Sequence, residues 1–97
     1  MLNNIESIAR DVLIKYPVKR AAFFGSAARN ELSEQSDIDM LVELLPDTPG
    51  IEFFGLYVDL KEALGRPVDL LTWDALETAK PEFRLVVNQE ERVIYER

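Results

Sequence analysis

The fold is decided by the stretch Phe23-Phe24-Gly25-Ser26-Ala27-Ala28-Arg29-Asn30-Glu31 and by Ser36-Asp37-Ile38-Asp39-Met40-Leu41-Val42, which follows it closely. The first stretch begins as an apolar strand that ends in a Gly-Ser turn, and the second is a strand that opens with two carboxylates. Side chains alternate along a strand, so we expect Asp37 and Asp39 to point to one side of a sheet and Ile38 to the other. Two carboxylates beside such a turn predict a site for a metal-bound phosphate.

Length and charge limit the classes of protein to consider. The 97 residues predict a single domain over residues 1–97, and a hydrophobic content of 47% is enough for a packed core. The net charge of −7 argues against binding nucleic acid through a basic face, so no stable nucleic-acid complex is expected. An acidic protein that handles nucleotides needs metal ions to screen the phosphates from its own carboxylates.

The chain has no cysteine and no histidine. This composition excludes disulfides, thiolate zinc sites, Ser-His-Asp triads and imidazole bases. No stretch resembles a signal peptide, and no apolar run approaches the length of a membrane span, so a cytoplasmic location without membrane contact is expected.

Periodicity and turn residues predict an alternation of helices and strands. The class is α/β (α+β), with a small mixed sheet flanked by helices. The predicted elements are a helix from Ile5 to about Tyr16, a strand over 18–24, a short helix over 26–30 ended by Asn30, a loop over 31–35, a strand over 36–43, a helix that stops at Gly65, a strand over 67–72, helices over 74–80 and 82–88, and a short strand over 92–95.

The helix before Gly65 is predicted in more detail. Thr48 followed by Pro49 is a typical pair of N-cap and first helical residue. The spacing of its apolar residues predicts a buried side formed by Ile51, Phe54, Val58 and Leu64.

Three aspartates are candidate metal ligands. Asp37 and Asp39 on one strand face repel each other, and a pair of Mg²⁺ ions held by carboxylates and substrate phosphates would remove that conflict. Asp69, in Pro67-Val68-Asp69-Leu70-Leu71-Thr72, would reach the same site if its strand lies beside the second strand. We expect Asp37 and Asp39 to bridge two ions, and Asp69 to bind one of them and help to deprotonate an attacking hydroxyl.

Gly25, Ser26 and Arg29 are the candidate nucleotide-binding residues. Glycine allows a phosphate to approach the backbone, the Ser26 hydroxyl can donate to the outer phosphates, and Arg29 could neutralise a departing pyrophosphate. Simpler roles exist: Ser26 is also a typical helix cap, and an arginine on a short exposed helix is often only a surface residue. Asp37 and Asp39 could likewise be the solvated start of a strand capped by Ser36.

These motifs together resemble the minimal nucleotidyltransferase (MNT) family of the DNA polymerase beta superfamily. The likeness extends over nearly the whole chain and includes Leu64-Gly65-Arg66-Pro67-Val68-Asp69-Leu70. Many family members have a glycine where this chain has Asn30, another residue that tolerates a turn. The resemblance implies the polymerase-beta-like nucleotidyltransferase fold.

The resemblance also implies an activity and a partner. It implies an antitoxin that forms a hetero-oligomer with a HEPN-family RNase toxin and transfers AMP from ATP to a tyrosine of that toxin. The chain after Asp69 is too short for a separate acceptor-binding domain, so the acceptor is expected on another chain. Two alternatives stay open: an antitoxin that neutralises its partner by binding alone, and an enzyme that adds nucleotides to RNA in trans, which the net charge of −7 disfavours.

Overall fold

The computed structural model describes residues 2–29, 31–33 and 35–97. These ranges contain five helices and four strands, which alternate except that α5 follows α4 directly. They are α1 (Leu2–Leu13), β1 (Val18–Phe24), α2 (Gly25–Ala28), β2 (Ile38–Leu44), α3 (Gly50–Leu64), β3 (Val68–Thr72), α4 (Trp73–Glu77), α5 (Pro81–Glu90) and β4 (Arg92–Glu96). The predicted α/β class and the order of elements are confirmed. Among the described residues, no helix has the length and apolar character needed to span a membrane.

The four strands form one mixed sheet in the order β3-β2-β1-β4. β1 runs antiparallel to both β2 and β4, whereas β2 and β3 are parallel. The carboxyl end of β1 therefore lies at the same edge of the sheet as the amino ends of the other three strands. The Gly-Ser turn and the two acidic strand starts meet at this edge.

The sheet buries both of its faces. Ile38, Met40 and Val42 of β2 belong to a large core with residues of α1 and α3, as their alternation predicted. Leu41 points to the other face, where it packs in a smaller core with Phe24 of β1, Leu76 of α4 and Val87 of α5. Because side chains alternate along a strand, Asp39 lies on the face of Leu41.

The ends of α1, α2 and α4 differ from the predictions, and α4 stops at Glu77 rather than at Lys80. α1 ends at Leu13 rather than near Tyr16, because the next backbone bonds, from Lys15 N to Val12 O (3.0 Å) and from Tyr16 N to Leu13 O (3.2 Å), span three residues instead of four. α2 covers Gly25–Ala28, and its N-cap is Phe24, so the interpretation of Ser26 as a cap is wrong. Asn30, which we predicted to end this helix, lies outside the described residues.

α3 corrects two further predictions. Its N-cap is Pro49 and not Thr48, whose hydroxyl instead donates to Leu45 O (2.6 Å) in the preceding turn. Ile51 and Phe54 do not face the core, since they are 72% and 61% exposed. The fully buried residues are Leu56 and Leu60. α3 is apolar on several sides, so apolar spacing alone could not identify the side that packs on the sheet.

Candidate functional site

The candidate site lies at the edge of the sheet where β1 ends and β2 and β3 begin. Asp39 and Asp69 are direct partners in the parallel pairing of β2 and β3. Asp69 shares a face with Leu71, which packs on the smaller core, so both carboxylates lie on the side of α4 and α5. The structure thus places Asp69 beside Asp39. The hypothesis of a site with three aspartates required this arrangement of the two strands.

Gly25 lies directly against Asp39. Its backbone has a φ of +64°, the left-handed conformation that follows β1 and opens α2. A Cβ placed on Gly25 would collide with Oδ2 of Asp39 and would stand 3.3 Å from its Cγ. The turn therefore requires glycine for two reasons: the backbone angle, and the room that the Asp39 carboxylate occupies.

Asp39 is the carboxylate whose protonation is most affected by the site. Partial burial raises its pKa above the ordinary value, and the negative charges of Asp69 and Asp37 raise it further. The Arg29 guanidinium acts in the opposite direction. All four side chains therefore lie close enough to share one electrostatic environment.

Asp37 stands just before β2 and is exposed. Ile38, the next residue, is fully buried in the opposite face, as predicted for residues at alternating positions. The backbone N–H of Ile38 donates to Pro67 O (3.0 Å), which fixes the start of β2 against the residue before β3. Asp37 consequently projects at the mouth of the site rather than within the sheet.

Ser26 and Arg29 belong to or follow α2. Ser26 is half-buried in the first turn after Gly25, one residue beyond the turn that contacts Asp39. Arg29 is exposed and forms two ion pairs, from Nε to Glu31 Oε1 (2.5 Å) and from Nη1 to Glu90 Oε2 (2.6 Å). The Arg29 guanidinium is thus already paired with two carboxylates, and it lies near enough to Asp39 for its charge to act on that carboxylate.

Two further residues, which were not among the candidates predicted from the sequence, connect to the site. Glu90, at the end of α5, ties that helix to Arg29, and no local pattern could indicate a partner 61 residues away. Arg66 donates from Nη1 to the carbonyl oxygens of Ser33 (2.8 Å) and Ser36 (3.3 Å), just before Asp37. A signal for Arg66 was present, because it lies within the stretch around Asp69 that carries the family resemblance.

The residues fit a hard divalent cation by their chemistry. Asp37, Asp39 and Asp69 offer oxygen donors. Burial raises the pKa of Asp39 most, and the charges of Asp69 and Asp37 raise it further, a repulsion that a cation would relieve. In the side-chain conformations of the described residues, no three acidic groups converge closely enough to hold an ion by themselves. Mg²⁺ usually takes one or two carboxylates and completes its shell with water and substrate phosphates, so the set is compatible with an ion that arrives with a nucleotide.

Comparison with known proteins identifies the family. The family model of the nucleotidyltransferase domain matches residues 5–95. A protein of Methanocaldococcus jannaschii that carries the name protein adenylyltransferase is 43% identical over 75 residues, which cover 77% of this chain and 81% of the relative. Protein adenylyltransferase MntA of Thermococcus cleftensis is 34% identical over 92 residues, which cover 89% of this chain and 93% of the relative.

Solved structures share the fold. A minimal nucleotidyltransferase structure superposes with a TM-score of 0.74 at 28% identity and covers 94% of this chain and 93% of its own. A chain from the complex of a tri-AMPylated Shewanella oneidensis HEPN toxin with an MNT antitoxin has a TM-score of 0.69 at 21% identity and covers all of this chain and 74% of its own. With the Asp39–Asp69 pair against Gly25, these similarities place the chain in the nucleotidyltransferase family, among the minimal nucleotidyltransferases related to protein adenylyltransferase MntA.

Proposed function

We propose that this nucleotidyltransferase is a Mg²⁺-dependent protein adenylyltransferase that transfers AMP from ATP to a tyrosine hydroxyl of a HEPN-family toxin, and so acts as the antitoxin. The observation that carries the proposal is the pairing of Asp39 with Asp69 on adjacent parallel strands, with Gly25 against Asp39. The names of the relatives support protein as the acceptor. The HEPN partner is supported by the shared fold with an MNT antitoxin in complex with its toxin.

The reaction is an in-line substitution at the α-phosphorus of ATP. The tyrosine oxygen forms a bond to the α-phosphorus, the bond from that phosphorus to the oxygen bridging to the β-phosphate breaks, and pyrophosphate leaves. Asp69 accepts the proton of the hydroxyl. Bound Mg²⁺ would neutralise charge on the attacking and leaving oxygens, and Asp37, Asp39 and Asp69 would hold it.

The remaining candidates bind the phosphates. In this proposal Gly25 lets the triphosphate approach the backbone, and the Ser26 hydroxyl donates to it. Arg29 would stabilise pyrophosphate, which requires its guanidinium to exchange at least one of its two carboxylate partners for a phosphate. The proposal includes a cytoplasmic location, where ATP is available, and a hetero-oligomer with the toxin.

The test measures transfer of labelled AMP. The purified protein is incubated with α-labelled ATP, Mg²⁺ and the HEPN protein encoded beside it, and wild type is compared with Asp39→Asn and Asp69→Asn. We expect labelling of a partner tyrosine that falls by about 10²-fold or more in either variant. Labelling that is equal in wild type and both variants would exclude the assigned roles. An Asp39→Asn variant that labels nothing and still protects cells would instead support neutralisation by binding alone.

A further inference from the structure

Arg66 closes the turn that leads into Asp37. It lies between Gly65, the C-cap of α3, and Pro67, which precedes β3. Its Nη1 atom donates to Ser33 O and Ser36 O, at the two ends of the turn. The turn is also closed by its own bond from Ser36 N to Ser33 O (3.2 Å). One guanidinium nitrogen therefore holds the carbonyl oxygens of both Ser33 and Ser36.

The residue after Arg66 holds the other side of Asp37. Pro67 O accepts the backbone N–H of Ile38 (3.0 Å), so Asp37 stands between Ser36, held by Arg66, and Ile38, held by Pro67. Arg66 and Pro67 are followed directly by Val68 and Asp69. The short segment before β3 thus holds the backbone on both sides of Asp37, and it is also the segment from which the strand of Asp69 begins.

Asp37 needs such an anchor. It is exposed and precedes the first residue of β2, and the pairing of β2 with β3 begins only at the next residue, Ile38. A hydrogen bond from a charged donor to a carbonyl is among the stronger ways to hold an exposed turn.

We propose that Arg66 is a positioning residue that holds the turn before Asp37, and thereby sets the distance between Asp37 and the Asp39–Asp69 pair. The kinetic part of this inference rests on the proposed adenylyltransferase activity, but the structural part does not. Both bonds come from one nitrogen, so a lysine ammonium can replace them in part, whereas alanine cannot.

The experiment compares wild type with Arg66→Ala, Arg66→Lys and the control Lys61→Ala. Lys61 is a basic residue that lines the same surface cavity, of about 440 Å³, as Arg66 and makes no side-chain hydrogen bond to the turn among the described residues. Hydrogen exchange at the Ser36 and Ile38 amides is measured in the free protein, with amides of β1 as an internal reference. AMP transfer is then measured as a function of Mg²⁺ concentration.

For Arg66→Ala we expect exchange at Ser36 and Ile38 to speed up by about tenfold with β1 unchanged, and the Mg²⁺ concentration for half-maximal transfer to rise several-fold. Arg66→Lys should restore much of both, and Lys61→Ala should match wild type. Exchange that is unchanged in Arg66→Ala, or a lysine variant that behaves like alanine, would overturn the inference. If β1 also exchanges faster in Arg66→Ala, the alanine variant is destabilised as a whole. The inference then depends on whether Arg66→Lys restores slow exchange at Ser36 and Ile38. If wild type transfers no AMP, the proposed function fails, and the exchange data still decide the role of Arg66.

Discussion

Gly25 and Gly65 offer a matched pair of residues for testing the close approach to Asp39. Both have left-handed backbones, with φ of +64° and +67°, but a Cβ at Gly65 meets no atom within 4 Å, whereas a Cβ at Gly25 collides with the Asp39 carboxylate. Alanine at either position should therefore cost about 1–2 kcal/mol in the free energy of unfolding from backbone strain. Only Gly25→Ala must also displace Asp39.

We expect Gly25→Ala to lose AMP transfer by about 10²-fold, because a displaced carboxylate cannot meet the metal and phosphate in the required geometry. Gly65→Ala should retain activity near that of wild type. Denaturant unfolding and labelled-AMP transfer measure the two effects. A similar loss of activity in both variants would mean that backbone strain, and not contact with Asp39, makes Gly25 necessary.

Asp39 itself should weaken the fold of the free protein at neutral pH. Its pKa is raised above the ordinary 3.8 by burial first and by Asp69 and Asp37 next, so between the two pKa values the folded chain binds more protons than the unfolded chain. The free energy of unfolding therefore falls as pH rises through this window. Asp39→Asn removes that dependence, and its thermal midpoint at pH 7 should lie a few degrees above that of wild type.

The measurement follows the thermal midpoints of wild type and Asp39→Asn from pH 3 to pH 7 without divalent cations. The advantage of the variant should grow as pH rises and then level off. Asp11→Asn is the control, because Asp11 is exposed on α1, which packs on the opposite face of the sheet. The prediction fails if Asp39→Asn is less stable than wild type at pH 7, or if Asp11→Asn shows the same trend.

A comparison of β1 with α3 shows what apolar patterns in the sequence can and cannot predict. β1 was predicted at its observed bounds, since an apolar run stopped by glycine has few alternatives. The packing side of α3 was not, because apolar residues occur on several sides and only contact with α1 and the sheet selects Leu56 and Leu60. The tertiary partner, and not the helix, decides which residues are core.

The orientation of α3 predicts losses of stability of very different size for two apolar residues two positions apart. Leu56→Ala should lower the free energy of unfolding by about 2–5 kcal/mol, since Leu56 is fully buried and its loss leaves a cavity. Phe54→Ala should change it by only about 0.5 kcal/mol, because Phe54 is 61% exposed. Denaturant unfolding at constant pH measures both. A larger loss for Phe54→Ala would show that α3 packs through the side that its apolar spacing suggested.

The site depends on the topology of the sheet more than on any one sequence motif. The Gly-Ser turn and the acidic start of β2 are neighbours in sequence and could be predicted together. Asp69 lies 30 residues beyond Asp39, and only the parallel pairing of β2 and β3 brings it opposite. Glu90 reaches Arg29 through α5, a contact that no sequence spacing encodes. Composition and local pattern thus identify candidate groups, whereas register and packing decide which of them meet.

The grouping of the three aspartates beside Gly25 predicts that Mg²⁺ and ATP together raise the free energy of unfolding by more than either ligand does alone. A ligand at about 100 times its Kd adds about 2.7 kcal/mol to the free energy of unfolding, which for a chain of this size is a rise of about 13 °C in the thermal midpoint. Asp39→Asn should start from a higher midpoint than wild type and gain little from Mg²⁺ and ATP, so the order of the two proteins should reverse when both ligands are present. Thermal unfolding with ATP and Mg²⁺, with ATP and EDTA, and with Mg²⁺ alone separates these contributions. An equal rise with EDTA would argue against a metal between the carboxylates and the phosphates. A reversal confined to the sample with both ligands is expected if the metal-bound nucleotide removes the charge repulsion that, together with burial, makes an ionised Asp39 unfavourable in the free protein.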